Sequence, residues 1–259
     1  MTTVTPMSGP PVPDPGGGEA ATGGLRAPAL SGIRRLSALD TVRARIALAV
    51  DLGLLTPGER LPASDQIARA LGVGEITVRR ALVSLCEDGL LERRRGRNGG
   101  TLVAERPVRR AVGAMDAYRS AAADVHRLID HRLILESGIA YLAARDADET
   151  AVDHLDRLVA EMDRAPSWAE FHGCDERFHL AVATATGVGS AAEPYGAVLR
   201  ELYRYYLPYP LATLRRSNDE HRALVAAIRR RDVADAAGLA RDHVLRLHRT
   251  MFIGLTGDA

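Results

Sequence analysis

The sequence predicts a mainly α-helical protein in which a small winged helix-turn-helix unit is followed by an all-α helical bundle. Three observations carry this prediction: apolar residues recur every three to four positions, one Arg- and Gly-rich hairpin signal interrupts them near residues 91–103, and no alternating strand pattern follows. A chain of 259 residues exceeds the roughly 100–150 typical of one domain, so two folded units are expected.

Composition narrows the class. Hydrophobic residues make up 46% and charged residues 26%, which suits a soluble globular protein. The net charge of +1 points to no partner by itself; all 34 basic residues are arginines, which reads as base composition of the gene rather than a phosphate site. Cys86 and Cys174 stand far apart and outside any C-x-x-C pair, so neither a disulfide framework nor a zinc ribbon is expected, and a reducing cytoplasm is the default location. No apolar run approaches the ~18–20 residues of a membrane span, and the N-terminus lacks the order of a signal peptide, so no membrane partner is expected.

The elements follow in order. Residues 1–35, with Gly9-Pro10-Pro11 and Gly16-Gly17-Gly18, are too poor in large apolar groups to offset their chain entropy and are expected to form a disordered tail. Residues 36–105 form the first folded unit. Leu39, Val42, Ile46 and Val50 lie at helical spacing, and Gly53 ends that helix. Pro57-Gly58 sets a turn, and Ser64 is the expected N-cap of a short helix over Asp65–Ala70. Gly72 allows a sharp bend before a second helix over Thr77–Glu87, whose Val78, Ala81, Leu82 and Leu85 share a face. Its other face carries Thr77, Arg79 and Arg80, residue types that bond phosphates and base edges, although a solvated arginine face on a structural bundle looks the same. Two strand-like segments then flank Arg93-Arg94-Arg95-Gly96-Arg97, the shape of a basic wing suited to phosphates or a minor groove.

Residues 106–114, with Pro107 and Arg109-Arg110, read as a linker to a second unit over residues 115–255. Helical periods run at about 115–145, 148–164, 167–186, 189–206, 216–230 and 232–252. Asp175 and His179 are spaced to project from one helix face a turn apart, close enough to share a metal ion, and His221 and His243 come from two further helices. Three imidazoles and one carboxylate suit a divalent ion, zinc foremost, with nickel, iron or manganese compatible. The same spacing also occurs in plain surface ion pairs. His126, His131, His154, His172 and His248 are read as surface or core histidines, and Cys174 as buried rather than ligating.

Residues 39–103, with Pro57-Gly58-Glu59-Arg60-Leu61-Pro62, Leu71-Gly72-Val73, Val78-Arg79-Arg80-Ala81-Leu82, Gly89-Leu90-Leu91 and Gly99-Gly100-Thr101, resemble the DNA-binding domain of the GntR superfamily. That resemblance implies a homodimer on palindromic double-stranded operator DNA, with the second helix of the motif at the major groove and the wing tip at the minor groove. The DNA-contacting positions it implies are Ser64, Thr77, Arg79, Arg80, Arg95, Gly96 and Arg97. Asp65 and Glu75 stand where many relatives carry arginine, so the operator does not transfer from relatives.

Residues 115–250, with Arg132-x-x-x-Glu136, Asp175-x-x-Phe178-His179, Glu220-His221-x-x-Leu224 and Ala236 to His243, resemble the FCD effector domain of the FadR-like subfamily. The resemblance implies Asp175, His179, His221 and His243 as metal ligands and a small organic acid as effector beside them. Arg132 is then the residue that forks the acid, or else the partner of Glu136 in an i,i+4 salt bridge. Val188 replaces a family asparagine and bears on the polarity of the pocket. The function expected is a ligand-responsive transcriptional regulator, a repressor in its commoner mode; the rivals are a purely structural metal without an effector and a metal-dependent hydrolase.

Overall fold

The computed structural model describes residues 37–96, 99–108 and 112–250. The tail expected to be disordered lies outside them, as does Arg97. In chain order the elements are α1 (Ala38–Asp51), α2 (Ser64–Leu71), α3 (Glu75–Glu87), β1 (Leu91–Arg94), β2 (Gly100–Val103), α4 (Val112–Asp146), α5 (Glu149–Arg164), α6 (Trp168–Thr184), α7 (Ala192–Tyr203), α8 (Leu211–Arg229) and α9 (Val233–Thr250).

The first three helices and the hairpin make the winged unit. Ser37 caps α1 by accepting from the Asp40 amide at 3.1 Å. Val42, Ile46, Ile67, Val78 and Val103 are fully enclosed in its core. Gly72 takes a left-handed conformation at φ 65°, which turns the chain between α2 and α3. β1 and β2 pair antiparallel, with Leu91 opposite Val103 and Arg94 opposite Gly100. Segment 58–61, read as a turn from its Pro-Gly pair, also runs along β2: Leu61 donates to the Thr101 carbonyl at 2.9 Å and Val103 to the Glu59 carbonyl at 2.9 Å. β2 is thus bonded on both edges, which anchors the base of the wing.

Ser64 is not the N-cap. Ala63 holds that position, and the Gln66 side chain accepts from its amide at 2.9 Å, so Ser64 becomes the first helical residue. The shift arises because a glutamine three residues on can reach back to the cap amide whatever the cap residue is.

Helices α4 to α9 form the bundle. α4 lies along α9 and also meets α7, α6 and α8, while α5 packs on α6 and α8. α4 begins at Val112, inside the segment read as linker. α8 begins at Leu211 rather than near 216, because Pro210 occupies the N-cap, where a missing amide proton costs nothing. α2 packs on α6 and α1 on α4, so winged unit and bundle share buried surface. Gln66 of α2 hydrogen-bonds Glu170 of α6 across that contact.

Candidate nucleic-acid interface and imidazole cage

One face of α3 buries Val78, Ala81, Leu82 and Leu85, and the opposite face is left to solvent. Arg79 and Arg80 are exposed there, Thr77 is half-buried, and Ile76 is 69% exposed. Arg79 is tied to Glu75 one turn back at 2.6 Å, whereas Arg80 has no hydrogen bond or ion pair among the described residues. Glu75, in the first turn, suits the positive end of the helix dipole and orients Arg79. Ser64 is half-buried at the start of α2. Arg95 and Gly96 are exposed at the hairpin tip, where φ of 100° demands the glycine. Arg94 departs from the freely basic wing expected: Glu92 at 2.6 Å and Glu105 at 3.2 Å neutralise it.

The second constellation lies inside the bundle. α6 supplies Asp175 and His179, α8 supplies His221 and α9 supplies His243. All three histidines are buried, and each offers one imidazole nitrogen, these atoms all lying within 4.8 Å of one another, a set that could hold a metal ion. Asp175 adjoins them: its Oδ1 is 3.7 Å from His179 Nε2 and 3.6 Å from His221 Nε2. The periodicity that puts Asp175 and His179 on one face of α6 also buries Phe178 beside them, and its ring centroid lies 4.7 Å from that of His221.

Two of the three rings are held from behind. Asn218 Oδ1 stands 3.3 Å from His221 Nδ1 and Glu220 Oε2 2.9 Å from His243 Nδ1, whereas Glu136 Oε1, 3.4 Å from His179 Nδ1, makes no hydrogen bond to it. An acceptor at Nδ1 places the proton there and leaves the Nε2 lone pair for an ion. His221 Nε2 is buried without a hydrogen bond, the kind of orphaned donor atom that a metal satisfies. The residues present therefore fit a divalent ion. Tyr203 closes the carboxylate side by donating to Asp175 Oδ2 at 3.2 Å.

Arg132 is 2% exposed and forms the salt bridge with Glu136 considered for it. Its Nε donates to Glu136 Oε2 at 2.6 Å, and its Nη2 reaches His179 Nε2 at 2.9 Å and His243 Nε2 at 3.5 Å. Tyr195 also donates to Glu136 Oε2 at 2.6 Å. Burial pushes the Glu136 carboxyl upward, but Arg132, with His179 and His243, outweighs it and holds the group at about 2. Burial raises the Asp175 carboxyl too, and His179 and His221 more than reverse this, so it lies well below the usual range. Burial, followed by His243, drives His221 well below its ordinary value, so the ring is a neutral donor.

Arg132, Asp175 and His243 also form part of the wall of a cavity of about 330 Å³. Cys174 is half-buried, with its sulfur 3.1 Å from Arg177 Nη2, and is not part of the cage. His172 is buried and stacked on Tyr206 at 4.2 Å outside the cage; His131 and His154 are exposed and His126 half-buried, while the His248 side chain lies outside the described residues. Val188 is 43% exposed and does not line the cavity, so it does not set the polarity there. The sequence reading missed Asn218, Tyr195 and Tyr203; Glu220 stood next to His221 in the motif, but its partner is His243.

A winged helix joined to an all-helical domain with an internal polar site defines a DNA-binding transcriptional regulator. Residues 38–103 match the family described as bacterial regulatory proteins, gntR family, and residues 127–246 match the FCD domain. The chain belongs to the GntR family and carries an FCD domain. It is 29% identical over 212 residues to RmpR of Mycobacterium gastri, assigned as an HTH-type transcriptional regulator, covering 80% of this chain and 77% of the relative. It is 34% identical over 153 residues to the Uxu operon transcriptional regulator of Escherichia coli strain K12, covering 57% of this chain and 55% of the relative. LutR of Bacillus subtilis strain 168, an HTH-type transcriptional regulator, is 26% identical over 201 residues, covering 74% and 91%. The family and these relatives are regulators, not enzymes. Among the described residues no helix is long and apolar enough to cross a membrane.

Proposed function

We propose that the protein is a homodimeric, cytoplasmic repressor whose helical domain holds a divalent ion through Asp175, His179, His221 and His243 and releases operator DNA when a small organic acid binds beside it. The observation that carries this reading is the convergence of three buried imidazoles, with the Nδ1 atoms of His221 and His243 each backed by an acceptor and His221 Nε2 otherwise orphaned. A loaded cage would supply a Lewis-acidic anchor for a carboxylate, and Arg132 adds a buried guanidinium next to it. The two functional units are residues 36–105 and the helical domain that follows, with the boundary at Val112, where α4 begins.

DNA contact falls to Thr77, Arg79 and Arg80 of α3, to Ser64 at the start of α2, and to Arg95, Gly96 and Arg97 at the wing. Ile134, 73% exposed, and Tyr141, 43% exposed, lie seven residues apart on α4 and give one helix face that a second copy would cover. Coupling between the sites runs through α6, which carries Asp175 and His179 and contacts α2 through Glu170.

Retardation of the intergenic DNA beside the encoding gene tests the reading. The metal-loaded protein should retard it and an organic acid should weaken the shift. Absence of any sequence-dependent shift contradicts the regulator's DNA assignment, and a shift indifferent to every acid contradicts the effector. A second reading rests on Arg132 Nη2 lying among the imidazole nitrogens: the guanidinium itself, rather than an ion, would be the cation of the cage. Elemental analysis separates the two.

A further inference from the structure

The cavity beside the cage is larger than a two- or three-carbon acid requires. At about 30 Å³ per water-sized group, 330 Å³ admits on the order of ten non-hydrogen atoms, so lactate would leave much of it unfilled. Phe171, Tyr206, Tyr209, Leu214 and Leu247 make the larger part of its other walls, with Thr213, Arg216 and Ser217 as a polar edge. Such a lining favours a ligand with an apolar body.

Two further features specify that body. Tyr206 is 6% exposed, and its hydroxyl is buried without a partner among the described residues. Its ring is fixed by stacking on His172 at 4.2 Å and lines the cavity, with the hydroxyl left as a donor that a ligand can satisfy. Burial raises the phenol well above its ordinary value, so it keeps its proton. Leu54, which follows α1 in the winged unit, also lines the cavity. A ligand that fills this space therefore touches the DNA-binding unit directly.

The geometry points to an effector that is a carboxylic acid bearing a ring or an apolar body of similar bulk, its carboxylate at Arg132 and the cage and its body against Phe171, Tyr206 and Leu54. The inference rests on the acid-sensing reading given above and names the class of acid. It also explains how occupancy reaches DNA: the body of the ligand presses on Leu54, where a short acid anchored at the cage would leave that side of the cavity to water.

Lactate and 3-phenyllactate share one headgroup and differ by a phenyl ring, so they isolate the body. Calorimetry of each against the metal-loaded full chain should show phenyllactate binding at least tenfold tighter, in line with the discrimination that a few buried apolar atoms provide. Leu247→Trp, which fills the cavity from α9, should abolish that preference. Phenyllactate binding no tighter than lactate overturns the inference while acid sensing stands. Saturable heat from neither acid on metal-loaded protein overturns the acid-sensing reading and this inference with it.

Discussion

Asn218 fixes the tautomer of His221. Its Nδ2 donates to the Val159 carbonyl at 2.9 Å and to Asp163 Oδ1 at 2.7 Å, which leaves Oδ1 as the atom facing His221 Nδ1 at 3.3 Å. An amide oxygen only accepts, so the ring proton sits on Nδ1 and Nε2 points its lone pair into the cage.

Asn218→Leu removes that acceptor and frees the ring. Metal affinity should fall by about ten- to hundredfold, the usual effect of losing a ligand's backing group. Competition with a chelator of known affinity measures it, and unchanged affinity would mean that His221 is not a ligand.

Glu136→Ala leaves Arg132 buried without its counter-ion and strips Tyr195 of its acceptor. The cost should be about 3–5 kcal/mol, read as a lowered urea midpoint. A loss below about 1 kcal/mol would show that the pair is not buried in solution.

Arg79→Ala should weaken binding to a specific operator by about ten- to hundredfold, the value of one good base contact. The melting temperature should hardly move, because the Glu75–Arg79 pair is exposed and worth only about 0.3–0.5 kcal/mol. Undiminished retardation by the variant would take the reading role away from this face of α3.

Acid should destabilise the protein through His172. Burial lowers this ring to about 4; Asp175 and a hydrogen bond with the Ala70 backbone oppose the shift, while Arg45 and His179 reinforce it. With the folded value below the unfolded one of about 6.5, the unfolded chain binds more protons between them. Stability is therefore full above pH 6.5 and declines as pH falls toward 4, by up to about 3 kcal/mol. His172→Phe should make the decline of denaturation midpoints across that window shallower, with the remainder due to His221, which burial also lowers. An equal slope in the variant would assign the acid sensitivity to other groups.

The grouping of residues on the two candidate surfaces was legible in the sequence because each depends on local spacing. Val78, Leu82 and Leu85 define one face of α3 and so expose Arg79 and Arg80; Asp175 and His179 stand one turn apart on α6. What orients those groups was not legible. Asn218 meets Val159, and Glu136 meets Tyr195, at a separation of 59 positions, and no periodicity encodes such pairs. The same limit hid the pairing of segment 58–61 with β2, since bonds between backbones leave no mark on side-chain pattern. The cap at Ala63 was missed for a different reason: Gln66, not the cap residue, supplies the hydrogen bond.

Metal content is the most direct measure of the cage. Elemental analysis of the dialysed protein should find one divalent ion per chain in the wild type and none in His221→Ala. A wild type without metal, or a variant that keeps its ion, would contradict the cage.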